Sequence, residues 1–305
     1  MDGHLWLRGA RIAALLCVPL GITCAARARY PQKDATSRSW NQPVPPFRIL
    51  GNLYYVGANE ITSFLMVTPA GDILLDGGFV ETAPQIEANI RTLGFRLAEV
   101  KILLNSHAHF DHAGGLAELK RATGAALYAS AADAPMLESG DHGDFFFGDT
   151  LTFPPVKPDR LLRDGDTVRL GGMELTAHLT PGHTKGCTTW TTTLEENGAR
   201  YHAVFVCSTS VVSGYRLVGN AAYPEIAEDY AHTFRTLRSL PCDLFLGSHG
   251  SFFDLTERRE ALAAGAKSNP FINPEQYRTF LDRSEAAFRE ELRRQQDLAK
   301  SGPHK

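Results

Sequence analysis

The segment Asn105-Ser-His-Ala-His-Phe-Asp-His112 holds four potential metal ligands within six residues. In an extended chain successive side chains alternate, so His107 and His109 project to the same side and can share one ion. Asp111 and His112 are adjacent, so they need a bend and suit a second ion beside the first. A catalytic zinc ion usually has three protein ligands and one open position. The segment therefore predicts two zinc ions, each still lacking one ligand.

Two further histidines lie in glycine-flanked loops that follow predicted strands. His183 stands in Pro181-Gly-His-Thr184 and His249 in Gly247-Ser-His-Gly250. Small neighbours let an ion approach the backbone closely. An isolated histidine is more often a surface or core residue, but five of the eleven histidines fall in three such loops, which favours ligands. Three others lack these surroundings and are interpreted as structural: His142, His178 and His202.

An acidic residue precedes the ligand segment at the end of another predicted strand. Asp76 lies in Leu74-Leu-Asp-Gly-Gly78, where its carboxylate could accept hydrogen bonds that orient the ligand loop. The alternative interpretation is a simple Asp-Gly turn.

The elements that must position these residues follow a repeated order. Strands are predicted at 53–56, 63–67, 72–75, 100–104, 167–170, 173–179, 188–193, 201–207 and 243–247. Helices are predicted at 83–94, 114–123, 225–239 and 275–298. Because strands and then helices occur twice, we expect two similar halves packed face to face.

Charge and composition narrow the classes of partner. Charged residues make up 21% of the 305 residues and the net charge is −3, so no basic field is available to hold nucleic acid. We expect a monomer that acts on small molecules.

The N-terminus predicts export. Arg8 and Arg11, the apolar run 12–22 and the cleavage-site pattern Ala26-Arg-Ala28 match a signal peptide over 1–28. A membrane anchor is the alternative, but this run is shorter than the roughly 20 residues that a membrane crossing requires. The prediction is a periplasmic or secreted protein with no membrane attachment after cleavage. An extended arm over 29–46 and a single catalytic domain over 47–305 follow.

The His-Ala-His-Phe-Asp-His run, the Leu-Asp-Gly-Gly turn, His183 and His249 together resemble the metallo-β-lactamase superfamily. Histidines at both 107 and 109, with no cysteine ligand, resemble its third subclass of β-lactamases. The resemblance implies a four-layer αββα sandwich. It also implies a zinc-dependent β-lactamase that opens penicillins, cephalosporins and carbapenems through a zinc-bound hydroxide and confers antibiotic resistance.

The resemblance also assigns roles to individual residues. It implies two zinc ions with three ligands each: His107, His109 and His183, and Asp111, His112 and His249. Asp111 would in addition orient the hydroxide. Ser208 and Ser210 would contact the substrate carboxylate, although plain loop polarity also explains them.

Other activities remain open at this point. A dinuclear zinc hydrolase of the same superfamily could act on a lactone, thioester or phosphodiester. In thioesterases and lactone hydrolases of the superfamily a metal-bridging Asp follows the His183-like ligand, whereas this chain has Val206-Cys-Ser-Thr209 there. A serine hydrolase is disfavoured because Ser-x-x-Lys, Lys-Thr-Gly and Gly-x-Ser-x-Gly are absent from the sequence. A non-enzymatic zinc-binding module would have no use for open metal positions.

Three cysteines remain after removal of the signal peptide, which leaves one unpaired in an exported protein. Cys187 follows the ligand His183 and Cys207 ends a predicted strand beside the substrate loop, so both should lie near the metals. A free thiolate there would compete for zinc. We therefore expect a disulfide between Cys187 and Cys207, with Cys242 free. Three reduced, buried thiols are the alternative.

Overall fold

The structure is a computed structural model that describes Met1 and residues 35–301. The predicted signal peptide and the first part of the predicted arm lie outside the described residues. Within residues 35–301, no helix combines the length and the apolar character needed to cross a membrane.

The first sheet contains seven strands in the order of the sequence, and its first four strands form an antiparallel meander. The remaining strands pair in parallel. The strands are β1 (Phe47–Leu50), β2 (Leu53–Tyr55), β3 (Phe64–Thr68), β4 (Gly71–Leu75), β5 (Val100–Leu104), β6 (Ala126–Ser130) and β7 (Arg160–Leu162).

The second sheet contains five strands in the order β12-β11-β10-β9-β8. Strands β8 to β11 are antiparallel neighbours, and β12 joins β11 in parallel. The strands are β8 (Thr167–Leu170), β9 (Met173–Leu179), β10 (Thr188–Glu196), β11 (Ala199–Val206) and β12 (Leu244–Gly247).

Eight α-helices occur in the described part of the chain. They are α1 (Ala35–Trp40), α2 (Ala83–Thr92), α3 (Phe110–Ala113), α4 (Leu116–Thr123), α5 (Ala134–Ser139), α6 (Ile226–Ser239), α7 (Leu255–Ala263) and α8 (Pro274–Ser301). Two short 3₁₀ helices span Leu97–Glu99 and Gly250–Phe252.

Apolar side chains from both sheets interlock in one central core. Phe64 of β3 meets Phe205 of β11 edge to face, with ring centroids 5.1 Å apart, and Trp190 of β10 is fully buried among them. A second core lies between the outer face of the first sheet and helices α2 and α4. Helices α6 and α8 pack together beside the second sheet. The predicted αββα sandwich is confirmed.

The described part of the predicted arm differs from the prediction. Residues 35–40 form helix α1 instead of an extended chain, and Pro43 pairs with Ala58 in an isolated bridge. Val44 is buried, so the segment packs against the domain. The polar and proline-bearing composition concealed this, because the contacts that order the segment come from residues far along the chain.

Candidate metal centre

Strand ends bring the six predicted ligands to one edge of the sandwich. The loop after β5 carries His107 and His109, the loop after β9 carries His183, and the residue two positions after β12 is His249. The chain at His109 is extended, and helix α3 begins directly after it. This bend turns Asp111 and His112 toward the second position. At Gly115 a Cβ atom would collide with the carbonyl oxygen of Gly77, so only glycine permits this close turn.

The first group of donors is formed by three histidines. Donor atoms of His107, His109 and His183 all lie within 4.8 Å of one another. Nδ1 of His109 and Nε2 of His183 are 3.2 Å apart. Three imidazole nitrogens at this spacing can hold one zinc ion and leave a position open.

The second group lies beside the first. Nε2 of His112 is 3.2 Å from Nε2 of His249 and 3.4 Å from Oδ2 of Asp111. The same carboxylate oxygen is 3.7 Å from Nε2 of His249. The rings of His107 and His112 are 4.3 Å apart between centroids, so the two groups form one cluster.

Burial and hydrogen bonding indicate that this cluster suits metal ions. Nε2 of His107 is buried and has no hydrogen-bond partner among the described residues. An unpaired buried polar atom is costly, and a coordinated ion would remove that cost for an imidazole that faces it. Burial, with the neighbouring histidines, also lowers the pKa of the His107 and His109 rings well below the usual value. The imidazoles are therefore neutral and available as ligands.

The pKa values of Asp111 and His112, in the same cluster, are shifted in opposite directions. Burial alone would raise the pKa of Asp111, but His112 and His249 outweigh it and hold this pKa below its usual range. Burial would likewise lower the pKa of His112, but Asp111 outweighs it and the pKa is raised. Asp111 is consequently an anion, which is the form that binds a metal ion.

Asp76 contacts the ligand loop. Its Oδ1 accepts hydrogen bonds from the backbone N–H of Ser106 at 2.6 Å and from the side chain of Asn105 at 3.1 Å. Its Oδ2 lies 3.9 Å from Nδ1 of His112, the ring nitrogen that points away from Asp111. This carboxylate can therefore fix the start of the loop, while it lies beyond hydrogen-bond distance of the His112 ring, whose Nδ1 has no hydrogen-bond partner among the described residues.

Asp133 was missed by the sequence interpretation, yet it connects two ligand loops. Its Oδ2 accepts hydrogen bonds from the N–H of Ala108 at 3.0 Å and from the hydroxyl of Thr184 at 2.9 Å, and its Oδ1 accepts one from the N–H of Gly186 at 2.8 Å. Ala108 lies between two ligand histidines and Thr184 directly follows the third. Burial raises the pKa of Asp133 to about 6 although these hydrogen bonds lower it.

Other unforeseen residues position the remaining histidines. Glu60 places Oε1 3.4 Å from Nδ1 of His249, and Trp40 meets the same ring edge to face at 5.3 Å. Nδ1 of His183 donates to the carbonyl oxygen of Ser210 at 2.9 Å, which directs Nε2 toward the cluster. Contacts like these set which nitrogen of a histidine is free to bind metal.

The two predicted substrate serines have different surroundings. Ser208 is buried, and its Oγ accepts a hydrogen bond from the N–H of Ser210 at 3.2 Å. The side chain of Ser210 is exposed, beside the carbonyl that holds His183. An aromatic wall borders the cluster, since Phe147 meets His109 at 5.4 Å and Phe146 meets Tyr215 at 4.8 Å.

The remaining histidines singled out in the sequence belong to other surroundings. His142 lies 3.3 Å from Asp149 at the surface, and His178 bonds Thr191 at 2.9 Å. His202 is exposed. The structure joins Cys187 to Cys207 in a disulfide and leaves Cys242 free and half-buried.

Known proteins resemble this chain in sequence and in fold. The family model for the metallo-β-lactamase superfamily matches residues 56–249, which is more than half of the chain. The native FEZ-1 metallo-β-lactamase from Legionella gormanii is 45% identical, with a TM-score of 0.82 over 84% of this chain and 98% of that one. BJP-1, a subclass B3 metallo-β-lactamase of Bradyrhizobium japonicum, is 38% identical, with a TM-score of 0.80 over 85% of this chain and 98% of that one.

Curated relatives match over shorter stretches. A protein named "Probable metallo-hydrolase" from Burkholderia pseudomallei is 31% identical over 161 residues, or 52% of each chain. A hydroxyacylglutathione hydrolase of Jannaschia sp. is 34% identical over 107 residues, which is 35% of this chain and 34% of that protein. The chain thus spans about half of the first relative and a third of the second.

Proposed function

Because this chain belongs to the metallo-β-lactamase superfamily, we propose that it is a zinc-dependent hydrolase that opens the ring of penicillins, cephalosporins and carbapenems. The observation that carries the proposal is the cluster of five imidazoles and one carboxylate at a single edge of the sandwich. The likeness to solved metallo-β-lactamases over nearly their whole length supports it.

The proposed cofactor is a pair of zinc ions. His107, His109 and His183 would hold one, and Asp111, His112 and His249 the other. Bound there, two zinc ions would lower the pKa of a water, polarise the lactam carbonyl and leave positive charge for the substrate carboxylate.

The side chains of this chain then do three things. Asp111 is ionised, so it can accept a hydrogen bond from the attacking water and orient it. Asp76 fixes the start of the ligand loop through the N–H of Ser106, and Glu60 lies beside the ring of His249 outside the cluster. The aromatic wall of Phe146 and Phe147 shields one side of the cleft from solvent.

Ser210 is the better placed of the two serines for the substrate carboxylate. Its side chain is exposed, while the hydroxyl of Ser208 is already used by the N–H of Ser210. We therefore propose that Ser208 shapes this loop and also contributes to substrate binding, and that Ser210 contacts the substrate carboxylate directly.

A thioesterase is the second candidate, since hydroxyacylglutathione hydrolases are among the curated relatives. The segment 206–209 supplies no carboxylate that could bridge two ions, and Cys207 within it is committed to a disulfide. This favours the β-lactamase.

The proposed setting is the periplasm or the outside of the cell, with the protein acting as a monomer and conferring antibiotic resistance. The disulfide supports an oxidising compartment, because such bonds are rare where thiols are kept reduced.

Rapidly quenched turnover of a carbapenem, followed by mass spectrometry, tests the proposed reaction. The substrate should gain one water and the protein should carry no adduct, because the nucleophile is water. Elemental analysis of the same sample should find two zinc ions per chain. A covalent adduct on a serine, or full activity after chelation, would overturn the proposal.

A further inference from the structure

The disulfide lies directly against one of the candidate ligands. Sγ of Cys207 is 3.6 Å from Nδ1 of His107, and Cys187, Cys207 and His107 are all buried. Donor atoms of these three residues lie within 4.8 Å of one another. Two sulfurs and one imidazole nitrogen therefore meet on the side of His107 that faces away from its unpartnered Nε2.

We propose that reduction of the Cys187–Cys207 bond creates an alternative zinc site, formed by the two sulfurs and Nδ1 of His107, which takes His107 away from the catalytic cluster. The disulfide would thus act as a switch that makes the cluster competent only in an oxidising compartment.

The geometry fits zinc. With Zn–S near 2.3 Å and Zn–N near 2.0–2.1 Å, a tetrahedral ion places its nitrogen and sulfur ligands about 3.5 Å apart. The distance between Nδ1 of His107 and Sγ of Cys207 is 3.6 Å. The two sulfurs must separate, which breaking the bond between them allows. The hydroxyl of Ser106, 3.1 Å from Nδ1 of His107, must also turn away from that nitrogen.

The charge also fits a buried position. One Zn²⁺ and two thiolates sum to zero, so the filled site would place no net charge in the interior, where an uncompensated charge is costly. Cys242 provides no such site. Burial raises the pKa of its thiol to about 12, and among the described residues no group of potential metal ligands includes it.

The two uses of His107 exclude each other. A neutral imidazole offers one lone pair and carries a proton on its other nitrogen. When Nδ1 binds zinc on the sulfur side, Nε2 must carry the proton, and Nε2 is the nitrogen that is buried without a partner. The three-histidine group then keeps only two ligands.

The reaction requires a reductant, for which a dithiol suffices. Two electrons pass to the disulfide, its S–S bond breaks, each sulfur takes one proton and the dithiol becomes a cyclic disulfide. Zn²⁺ then displaces both thiol protons to solvent, and the proton on the His107 ring moves from Nδ1 to Nε2.

Cobalt(II) is the probe for this site, because a thiolate ligand gives it a charge-transfer absorption in the near ultraviolet that imidazole and carboxylate do not give. The purified protein is unfolded with dithiothreitol, separated from it by gel filtration without oxygen, and refolded without oxygen in the presence of Co²⁺, because dithiothreitol would itself bind the ion through sulfur. Reduced wild type should show the sulfur band, and oxidised wild type should not. Reoxidation should abolish it.

Two variants serve as controls. The double variant Cys187→Ala, Cys207→Ala should lack the band and should hold metal in the histidine cluster at least about tenfold more tightly than reduced wild type. Cys242→Ala should behave as wild type in both redox states. The loss of catalysis in the reduced protein depends on the proposed function, but the cobalt spectrum does not. Failure of the proposed sulfur site can therefore be told from failure of the proposed function.

Three results would overturn the inference. They are the absence of the band in reduced wild type, its persistence in the double variant, and failure of the reduced chain to fold in the presence of cobalt.

Discussion

Replacing Asp133 by asparagine tests how the ligand loops are held. The carboxylate accepts one hydrogen bond at Oδ1 and two at Oδ2, from the loops that carry His107, His109 and His183. An amide of the same shape offers only one oxygen, so its NH₂ group must face a backbone N–H. With the oxygen at the Oδ2 position, the N–H of Gly186 loses its acceptor.

Two effects on the stability of the metal-free protein oppose each other. A buried donor without a partner costs about 1–3 kcal/mol, whereas the substitution also removes the buried charge whose burial raises the pKa of Asp133 to about 6, so the free energy of unfolding should change by less than about 2 kcal/mol at pH 8. Loss of a residue that orients metal ligands typically weakens metal affinity by about 10- to 100-fold, and the same is expected here for zinc.

Urea unfolding of metal-free protein and zinc competition against a chelator measure the two quantities. Both should be done at pH 8, because the pKa of Asp133 is about 6 and its carboxylate is then ionised. Asp164→Asn is the matched control. Asp164 accepts one backbone N–H, from Leu179 at 2.8 Å, but it is exposed, so water can replace it and the cost should stay below about 0.5 kcal/mol. An unchanged zinc affinity in Asp133→Asn, or an equal loss of zinc affinity in both variants, would show that Asp133 does not hold the ligand loops.

Two other substitutions give separate tests. Asp141 is buried at a left-handed φ of 67°, both its oxygens lack a partner among the described residues, and burial and then Asp144 raise its pKa to about 8. The folded state therefore binds this proton more tightly than the unfolded state, whose pKa is about 3.9, and wild type loses stability as the pH rises from about 4 to about 8. Asp141→Asn should be more stable than wild type by about 1–3 kcal/mol at pH 9 and similar at pH 4 in urea unfolding, and a difference independent of pH would contradict this. His109→Ala should lose bound zinc and nearly all activity, whereas His178→Ala should keep both, because His178 only bonds Thr191; equal losses would count against the ligand assignment.

Local sequence patterns predicted the candidate ligands well, because the relevant geometry is itself local. Alternation in an extended chain places His107 and His109 together, and the next residues bend into helix α3. His183 and His249 were found through their glycine neighbours at strand ends, where the second sheet delivers them to the same edge.

The residues that orient the ligands could not be found in this way. Asp133 and Glu60 stand in segments with no chemical motif. The hydrogen-bond partners of the Asp133 carboxylate lie 25 to 53 residues away in the sequence, and Ser251, a partner of Glu60, lies 191 residues away. Such contacts exist only once the sandwich has formed, so no spacing within the sequence records them.

The missed elements have a similar cause. Strand β6 (Ala-Leu-Tyr-Ala-Ser) is rich in small residues, and β7 has only three residues, so neither has a strong alternating pattern. Pairing with the preceding strand of the first sheet orders each of them. Helix α1 likewise depends on distant contacts, such as the carbonyl oxygen of Trp40 with the N–H of Glu60 at 2.9 Å.

A zinc-dependent β-lactamase is distinguished from a thioesterase by kcat/KM for a carbapenem and for a hydroxyacylglutathione thioester, each measured with zinc-loaded and with metal-free protein. We expect ring opening of the carbapenem by the zinc-loaded protein, little or no thioester hydrolysis, and loss of activity on metal removal with recovery after two equivalents of zinc. Preference for the thioester, or carbapenem hydrolysis that survives metal removal, would contradict this expectation.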